Sequence, residues 1–397
     1  MITTINNKHK KLNVPNLRFP EFEEEWEESS IGEMFDLYSG NTPSRLNKEH
    51  FKGTVNWISS GELKEHYIYS SKEQISEEAA KSLKLLPVGT FVIAIYGLEA
   101  EGVRGTGSIT QKPSTISQAC MSFIPKGVIE NEFLYSWYKK HGNVIGIRYA
   151  QGTKQQNLSY DILEKFKIVY PNTKEQEKLN KFISLLDERI TTQNKIIEDL
   201  KKLKCAIIEK LYSKIQGKEY SYGQLLDVVN ERNKQMEYSN ILSASQEKGM
   251  VNRDDLNLDI QFERSNINTY KIVRAGDYVI HLRSFQGGFA FSDKQGVCSP
   301  AYTILRPNSL LEHGYLSYYF TSQRFIKSLI IVTYGIRDGR SINVEEWLNM
   351  KVVIPSKEHQ LHTLNILKSI DGKIVNEETY ATCLSNQKQY LLRQMFI

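Results

Sequence analysis

Four clusters of hydrogen-bonding side chains in this 397-residue chain sit beside glycines. Arg104 lies in Glu101-Gly-Val-Arg-Gly-Thr-Gly107, just after the apolar run Phe91–Tyr96, and Lys154, Gln155, Gln156 and Asn157 follow Gly152. Further along, Arg283, Ser284 and Gln286 precede Gly287-Gly288, and Arg337 and Arg340 flank Gly339. These residue types suit DNA contacts. Arg pairs with guanine and Asn or Gln with adenine, while Lys, Arg and small hydroxyls bind phosphate. Ordinary solvated loops use the same residues, so the clusters are candidates and no more.

Signatures of catalysis are missing. Gly217-Lys218 is followed by Glu219 and Gly372-Lys373 by Ile374, so neither is a phosphate-binding loop. No nucleophile elbow or dinucleotide fingerprint occurs, and His359 and His362 share a helical face without a third ligand, so no metal is expected. Cys120, Cys205, Cys298 and Cys383 lie far apart, as suits free thiols in a reducing compartment. The start of the chain is polar, with no secretory signal, and the longest apolar runs fall far short of the ~20 residues that cross a bilayer. A cytoplasmic protein without a membrane partner is expected. The 51 Lys+Arg against 46 Asp+Glu, a formal +5, allow nucleic acid without demanding it.

What must position these clusters is a unit present twice. Ser30-Ile-Gly-Glu-Met-Phe-Asp-Leu37 matches Ser221-Tyr-Gly-Gln-Leu-Leu-Asp-Val228, and Leu86–Ile95 matches Val273–Leu282. Leu158 with Phe166-Lys-Ile-Val-Tyr-Pro171 matches Ile342 with Met350-Lys-Val-Val-Ile-Pro355, and Leu185-Leu-Asp187 matches Ser369-Ile-Asp371. The offset drifts from 191 to 187 to 184 while the order never changes, which indicates duplication with small loop insertions. Each copy begins with short β-rich runs and turns interrupted by helical segments, an α+β pattern. Each then passes a proline into a long helix. Asn172 or Thr173, with Glu175 and Gln176 three residues on, offers a capping-box start. At 1.5 Å per residue, the stretch to Ile215 makes a rod of ~60 Å. The expected domains are residues 1–171, a helix over 172–216, residues 217–355 and a helix over 356–397.

Heptads run along both helices. Of positions 183, 186, 190, 193, 197, 200, 204, 207 and 211, all are apolar except Gln193 and Lys204. Adding 184 gives a second series, apolar except at Glu377 and Lys388, which is a coiled-coil seam used twice. Antiparallel pairing of positions whose numbers sum to 581 sets Leu200 opposite Ala381, Lys204 opposite Glu377 and Gln193 opposite Lys388. Polar pairs of this kind set alignment more than they add stability. Leu179, Phe182, Ile196, Leu203 and Ile208 widen the apolar face, a flank for partner helices or for the chain's own domains to cover.

The order domain, long helix, domain, long helix now carries a resemblance. With Trp26…Ile31-Gly32-Glu33, Gly152-Thr-Lys-Gln-Gln-Asn-Leu-Ser159, Pro171…Glu175-Gln176 and Leu391-Leu-Arg-Gln-Met-Phe-Ile397, the chain resembles the specificity subunit of type I restriction–modification systems over essentially its whole length. The resemblance implies two similar α+β target-recognition domains separated by two long antiparallel coiled-coil helices, related by a pseudo-two-fold repeat. Each domain would read one half of an asymmetric bipartite site in double-stranded DNA. The helices would dock two modification (adenine methyltransferase) subunits, joined by restriction (translocase and nuclease) subunits. It also implies a non-catalytic chain holding no cofactor, with S-adenosylmethionine, ATP and Mg acting on the partners. One departure is that Glu175-Gln176 becomes His359-Gln360 in the second copy. The competing expectation is a duplicated protein-interaction scaffold without DNA specificity.

Overall fold

The computed structural model describes residues 13–100, 102–152, 156–245, 248–256, 264–281, 288–334 and 341–397. These fall into two compact units: residues up to Gln193 with Tyr380–Ile397, and Asn194–Thr379. Both units are mixtures of sheet and helix, and each takes part of each long helix, so the units cut across the domain boundaries expected from sequence.

In the first unit a five-stranded sheet runs Phe35–Ser39, Cys120–Pro125, Phe91–Ala94, Gly107–Thr110, Tyr67–Ile68. Its central strand, Phe-Val-Ile-Ala, is buried along its whole length, as a short continuous apolar run requires. In the second unit the sheet runs Leu226–Val229, Thr303–Pro307, Tyr278–Ile280, Phe289–Phe291, repeating the first four strands in order. A two-stranded ribbon recurs as well, Glu27–Ser30 with Lys167–Tyr170 and Lys218–Ser221 with Lys351–Ile354. At the end of each first ribbon strand the repeated Ser-x-Gly-[Glu/Gln] forms a capping box, Ser30 with Glu33 and Ser221 with Gln224.

The ribbons lead into the long helices Thr173–Ser213 and Lys357–Met395, which pack together antiparallel within each unit. All eighteen heptad positions read from sequence are buried or half-buried. Leu179 and Ile183 join Leu392, Met395 and Phe396 in the first core, while Ile208 and Tyr212 join Leu364 and Leu367 in the second. The pseudo-symmetry extends to ring contacts. Phe396 lies 5.2 Å from Phe133, and its counterpart Tyr212 lies 5.5 Å from Tyr315.

The two lysines among the polar heptad positions take partners six residues from those of the 581 register. Lys204 meets Asp371 at 2.5 Å, and Lys388 meets Asp187. Both pairs sum to 575, and Asp187 and Lys204 become Asp371 and Lys388 on adding 184, so one contact is made twice. The chemistry explains the choice. A half-buried ammonium needs a formal counter-charge, which Gln193 cannot supply, and Glu377 is engaged by Lys373 one turn before it. The flank divides. Leu179, Phe182 and Ile208 enter the chain's own cores, whereas Ile196 and Leu203 stay 41% and 51% exposed.

The starts of the long helices also differ from the capping-box expectation. Asn172 Oδ1 accepts the Glu175 N–H at 3.0 Å, which makes Asn172 the cap. The Glu175 carboxylate turns away to Arg18, with Nε–Oε1 at 2.8 Å and Nη2–Oε2 at 2.7 Å. Gln176 is fully buried. Its Nε2 donates to the carbonyls of Pro171 (2.9 Å) and Val128 (3.2 Å), and its Oε1 accepts the Glu130 N–H at 3.0 Å. Gln360 repeats this with the carbonyls of Pro355 (3.1 Å) and Leu310 (3.0 Å) and the Glu312 N–H at 2.8 Å.

Candidate nucleic-acid interface

In the first unit the candidate residues sit on two chain connections held side by side. The antiparallel strands Phe91–Ala94 and Gly107–Thr110 are joined through Ile95–Thr106, which carries Arg104. Gln151 and Asn157 exchange backbone N–H to carbonyl bonds at 2.8 Å and pinch off a second connection. The two are laced together. Asn157 bridges Tyr96, the Leu98 N–H donates to the Gln156 carbonyl at 3.0 Å, and the Gln156 N–H donates to Glu99 Oε2 at 2.8 Å. That N–H holds the Glu99 carboxyl below its usual range, with Arg104 adding to the effect.

Glycines make this approach possible. Gly105 has φ +70°, and a Cβ there would lie 2.8 Å from the Asn143 nitrogen of the helix Asn131–Tyr149. A Cβ on Gly146 would lie 2.6 Å from Arg104 Cγ, so the Arg104 stem rests in a notch of that helix. Its Nη2 donates to Gln156 Oε1 at 3.2 Å, while its Nε is enclosed without an acceptor among the described residues. Asn157 Oδ1 is enclosed in the same sense. Arg104 is therefore a neighbour of Gln156 and Asn157 although it lies far from them in sequence. A guanidinium and two amides in one place are groups that read guanine and adenine edges.

Lys154, Gln155, Arg283, Ser284, Gln286, Arg337 and Arg340 lie outside the described residues. The strands that flank them are described. Ile280 pairs with Phe289 across the connection that holds residues 282–287, the counterpart of the Arg104 connection. Tyr334 pairs with Ser341 across residues 335–340, the counterpart of the Gly152 segment. Trp26, within the acidic run Glu21–Glu28, is buried 5.8 Å from Phe133 and anchors the domain. Among the described residues no group of three His, Cys, Asp or Glu side chains is placed to hold a metal ion, and no helix is long and apolar enough to cross a membrane.

Sequence reasoning missed the buried Gln176 and Gln360 as the ties between each head and its long helix. A usable signal existed: the same amide recurs five residues after the repeated proline in both copies. It also missed His66, which no motif marks.

Comparison with known proteins agrees with this architecture. Residues 23–202 match the family model for the type I restriction modification DNA specificity domain. The chain is 27% identical over 212 residues to the type I restriction enzyme MjaIX specificity subunit of Methanocaldococcus jannaschii, covering 51% of this chain and 48% of that one. It is 32% identical over 189 residues to the EcoR124I/EcoR124II specificity subunit of Escherichia coli, covering 46% and 45%. The chain thus spans about half the length of these two relatives. The fold is similar to that of the type I restriction–modification S subunit from M. genitalium, with TM-score 0.52 and 15% identity over 97% of this chain and 99% of that one. Over residues 23–202 the chain is thus similar to the type I restriction modification DNA specificity domain, and the relatives it matches are type I restriction enzyme specificity subunits.

Proposed function

We propose that this chain is the sequence-reading, non-catalytic component of a type I restriction–modification complex. Each unit reads one half of a split, asymmetric site in double-stranded DNA. The long helices carry two adenine methyltransferase subunits, and restriction subunits complete the assembly. S-adenosylmethionine, ATP and Mg serve the partner chains. The observation that carries the reading is the duplication. One sheet order, one capping box and one glutamine tie occur twice, while the polar residues of the connections between strands differ between copies. Two equivalent heads with different contact residues fit two different half-sites, as protein two-fold symmetry is mirrored in the half-sites of repressor operators. Ile196 and Leu203, left exposed on the central helix, suit the docking of partner helices.

The deciding experiment maps methylated adenines in the source cell with and without this gene. One split, asymmetric motif should disappear with the gene. An unchanged methylome in a cell whose partner subunits are expressed would overturn the reading and favour a protein-interaction scaffold. Once the motif is known, Arg104→Ala should weaken binding of DNA containing it by about 1–3 kcal/mol, and a lost phosphate contact lowers the salt slope by about one. Equal affinity and slope in a titration of the full chain would remove the Arg104 connection from the interface.

A further inference from the structure

His66 occupies a seat built from four parts of the first unit. Its imidazole lies between the rings of Tyr67 and Tyr135, with centroids 4.0 and 3.9 Å away and planes tilted by only 9° and 4°. Nε2 meets Glu132 Oε2 at 2.9 Å. Nδ1 faces Asp187 Oδ2 on the central long helix at 3.5 Å, an ion-pair contact longer than a hydrogen bond. The other Asp187 oxygen accepts the Lys388 ammonium of the C-terminal long helix. One side chain therefore connects the head, through a carboxylate, to both helices.

The geometry selects a protonation state. A neutral imidazole carries one N–H. Directing it at Glu132 leaves the Nδ1 lone pair facing Asp187 Oδ2, an enclosed oxygen with no hydrogen-bond donor among the described residues. The imidazolium offers N–H to both carboxylates and a cation to two ring faces. The ionisable groups around it are Glu65, Tyr67 and Tyr69 from its own segment, Glu132, Tyr135 and Lys139 from the head helix, Asp187, and Lys388. Burial by itself pushes the His66 pKa down, but Asp187 and Glu132 outweigh it and leave it above the ordinary 6.5. Asp187, opposed by burial, is held below its usual range by His66 and Lys388 and stays ionised.

The second unit makes the matching contact differently. Asp371, the counterpart of Asp187, accepts from Lys204 and from the Tyr318 hydroxyl at 2.7 Å. Burial pushes the Tyr318 pKa far up, so this phenol keeps its proton throughout the neutral range. Ser317, Tyr318, Lys204 and Asp371 line a groove of about 360 Å³.

We propose that His66, as an imidazolium, is the positioning residue that fixes the first head on the long helices, and that the second head is fixed by the Tyr318 hydroxyl on Asp371, a tie without an imidazole. The functional meaning rests on reading the units as DNA-recognition heads, but the tie itself can be tested without DNA. The sign follows from the raised pKa. Stabilisation from His66 is complete below pH 6.5 and is lost as pH rises through the folded-state pKa. The first head then loosens on its helices and the second does not.

The test uses the full chain free of DNA. In histidine-labelled protein, the His66 ring resonances should titrate with a midpoint above 6.5, and Asp187→Asn should lower that midpoint. A wild-type midpoint at or below 6.5 overturns the proposal whatever the variants do. Amide exchange, corrected for its intrinsic pH dependence, should rise between pH 6 and pH 9 in residues 131–140, 184–190 and 385–391. The rise should approach roughly tenfold for each pH unit by which the His66 pKa exceeds 6.5. Residues 315–321 and 368–374 should not respond. His66→Gln should leave the first set at its high-pH level at every pH, and an equal pH response in wild type and His66→Gln would assign the change to other groups. Because no DNA is present, these outcomes stand apart from the methylation test of the heads themselves.

Discussion

Gln176→Ala should destabilise the first unit by about 3 kcal/mol, and Gln360→Ala should do the same to the second, each leaving the other unit unchanged. Either substitution removes three hydrogen bonds in which every partner is a backbone group, at about 1 kcal/mol net for each. The carbonyls and N–H left behind lie against the end of a long helix, and the glutamines themselves are fully enclosed. Glu at either position is the more telling replacement. A carboxylate keeps the acceptor for Glu130 or Glu312 but sets negative charge against two carbonyls that expect a donor. Gln176→Glu should therefore cost more than Ala at neutral pH and recover in part in acid, where a protonated carboxyl can donate to one carbonyl. Denaturant unfolding followed by amide exchange in residues 128–131 and 310–313 separates the two units. A loss below about 1 kcal/mol in both Ala variants would mean that water replaces the amide and that the tie is dispensable.

This tie explains why much of the architecture was legible in the sequence while its joints were not. Repetition and heptad period are patterns over many residues, so substituting one leaves them visible. Both the duplication and the burial of the eighteen seam positions follow from such patterns. The joints depend on single side chains meeting groups remote in sequence. A Glu three residues after an Asn looks like a cap, and only the fold reveals that Glu175 is claimed by Arg18 while Asn172 caps alone. The heptads likewise locate the seam without deciding which charges pair. Lys388 reaches past Gln193 to the carboxylate of Asp187, and Lys204 reaches past Glu377, which Lys373 engages, to Asp371. No spacing rule links His66 to Glu132 and Asp187.

The candidate interface was legible in kind rather than in detail. Glycine-flanked Arg, Gln and Asn single out stretches whose residue types suit DNA, and the strand pairs that flank those stretches are what the structure describes. That Arg104 would lie in a notch at Gly146 and bond Gln156 required the helix Asn131–Tyr149 to pass beneath it. For a loop residue, composition suggests the chemistry and the packing beneath decides the direction. Arg104 braces its neighbour Gln156 as well as being a candidate reader, so affinity must be measured alongside loop order.

The first position of the Glu-Gln/His-Gln pair provides the second large effect. Glu175→His, which installs the residue of the other copy, should destabilise the first unit by about 3 kcal/mol, within the range for breaking a buried ion pair. The Glu175 side chain is only 1% exposed and the Arg18 side chain 10%, and both of their bonds are short, so an unpaired guanidinium would remain inside. The reverse exchange, His359→Glu, should change stability by no more than about 0.5 kcal/mol, as expected of a surface position. His359 is exposed, and Ser356 Oγ accepts its N–H as part of the helix start, which any side chain permits. Arg18→Ala tests the pairing from the other side. If charge pairing carries the effect, Arg18→Ala combined with Glu175→Gln should lose less than the two single losses added together. Strict additivity would assign the loss to packing of the Arg18 stem, and a costly His359→Glu would mean that the two copies are bound to their helices more alike than the Arg18 contact implies.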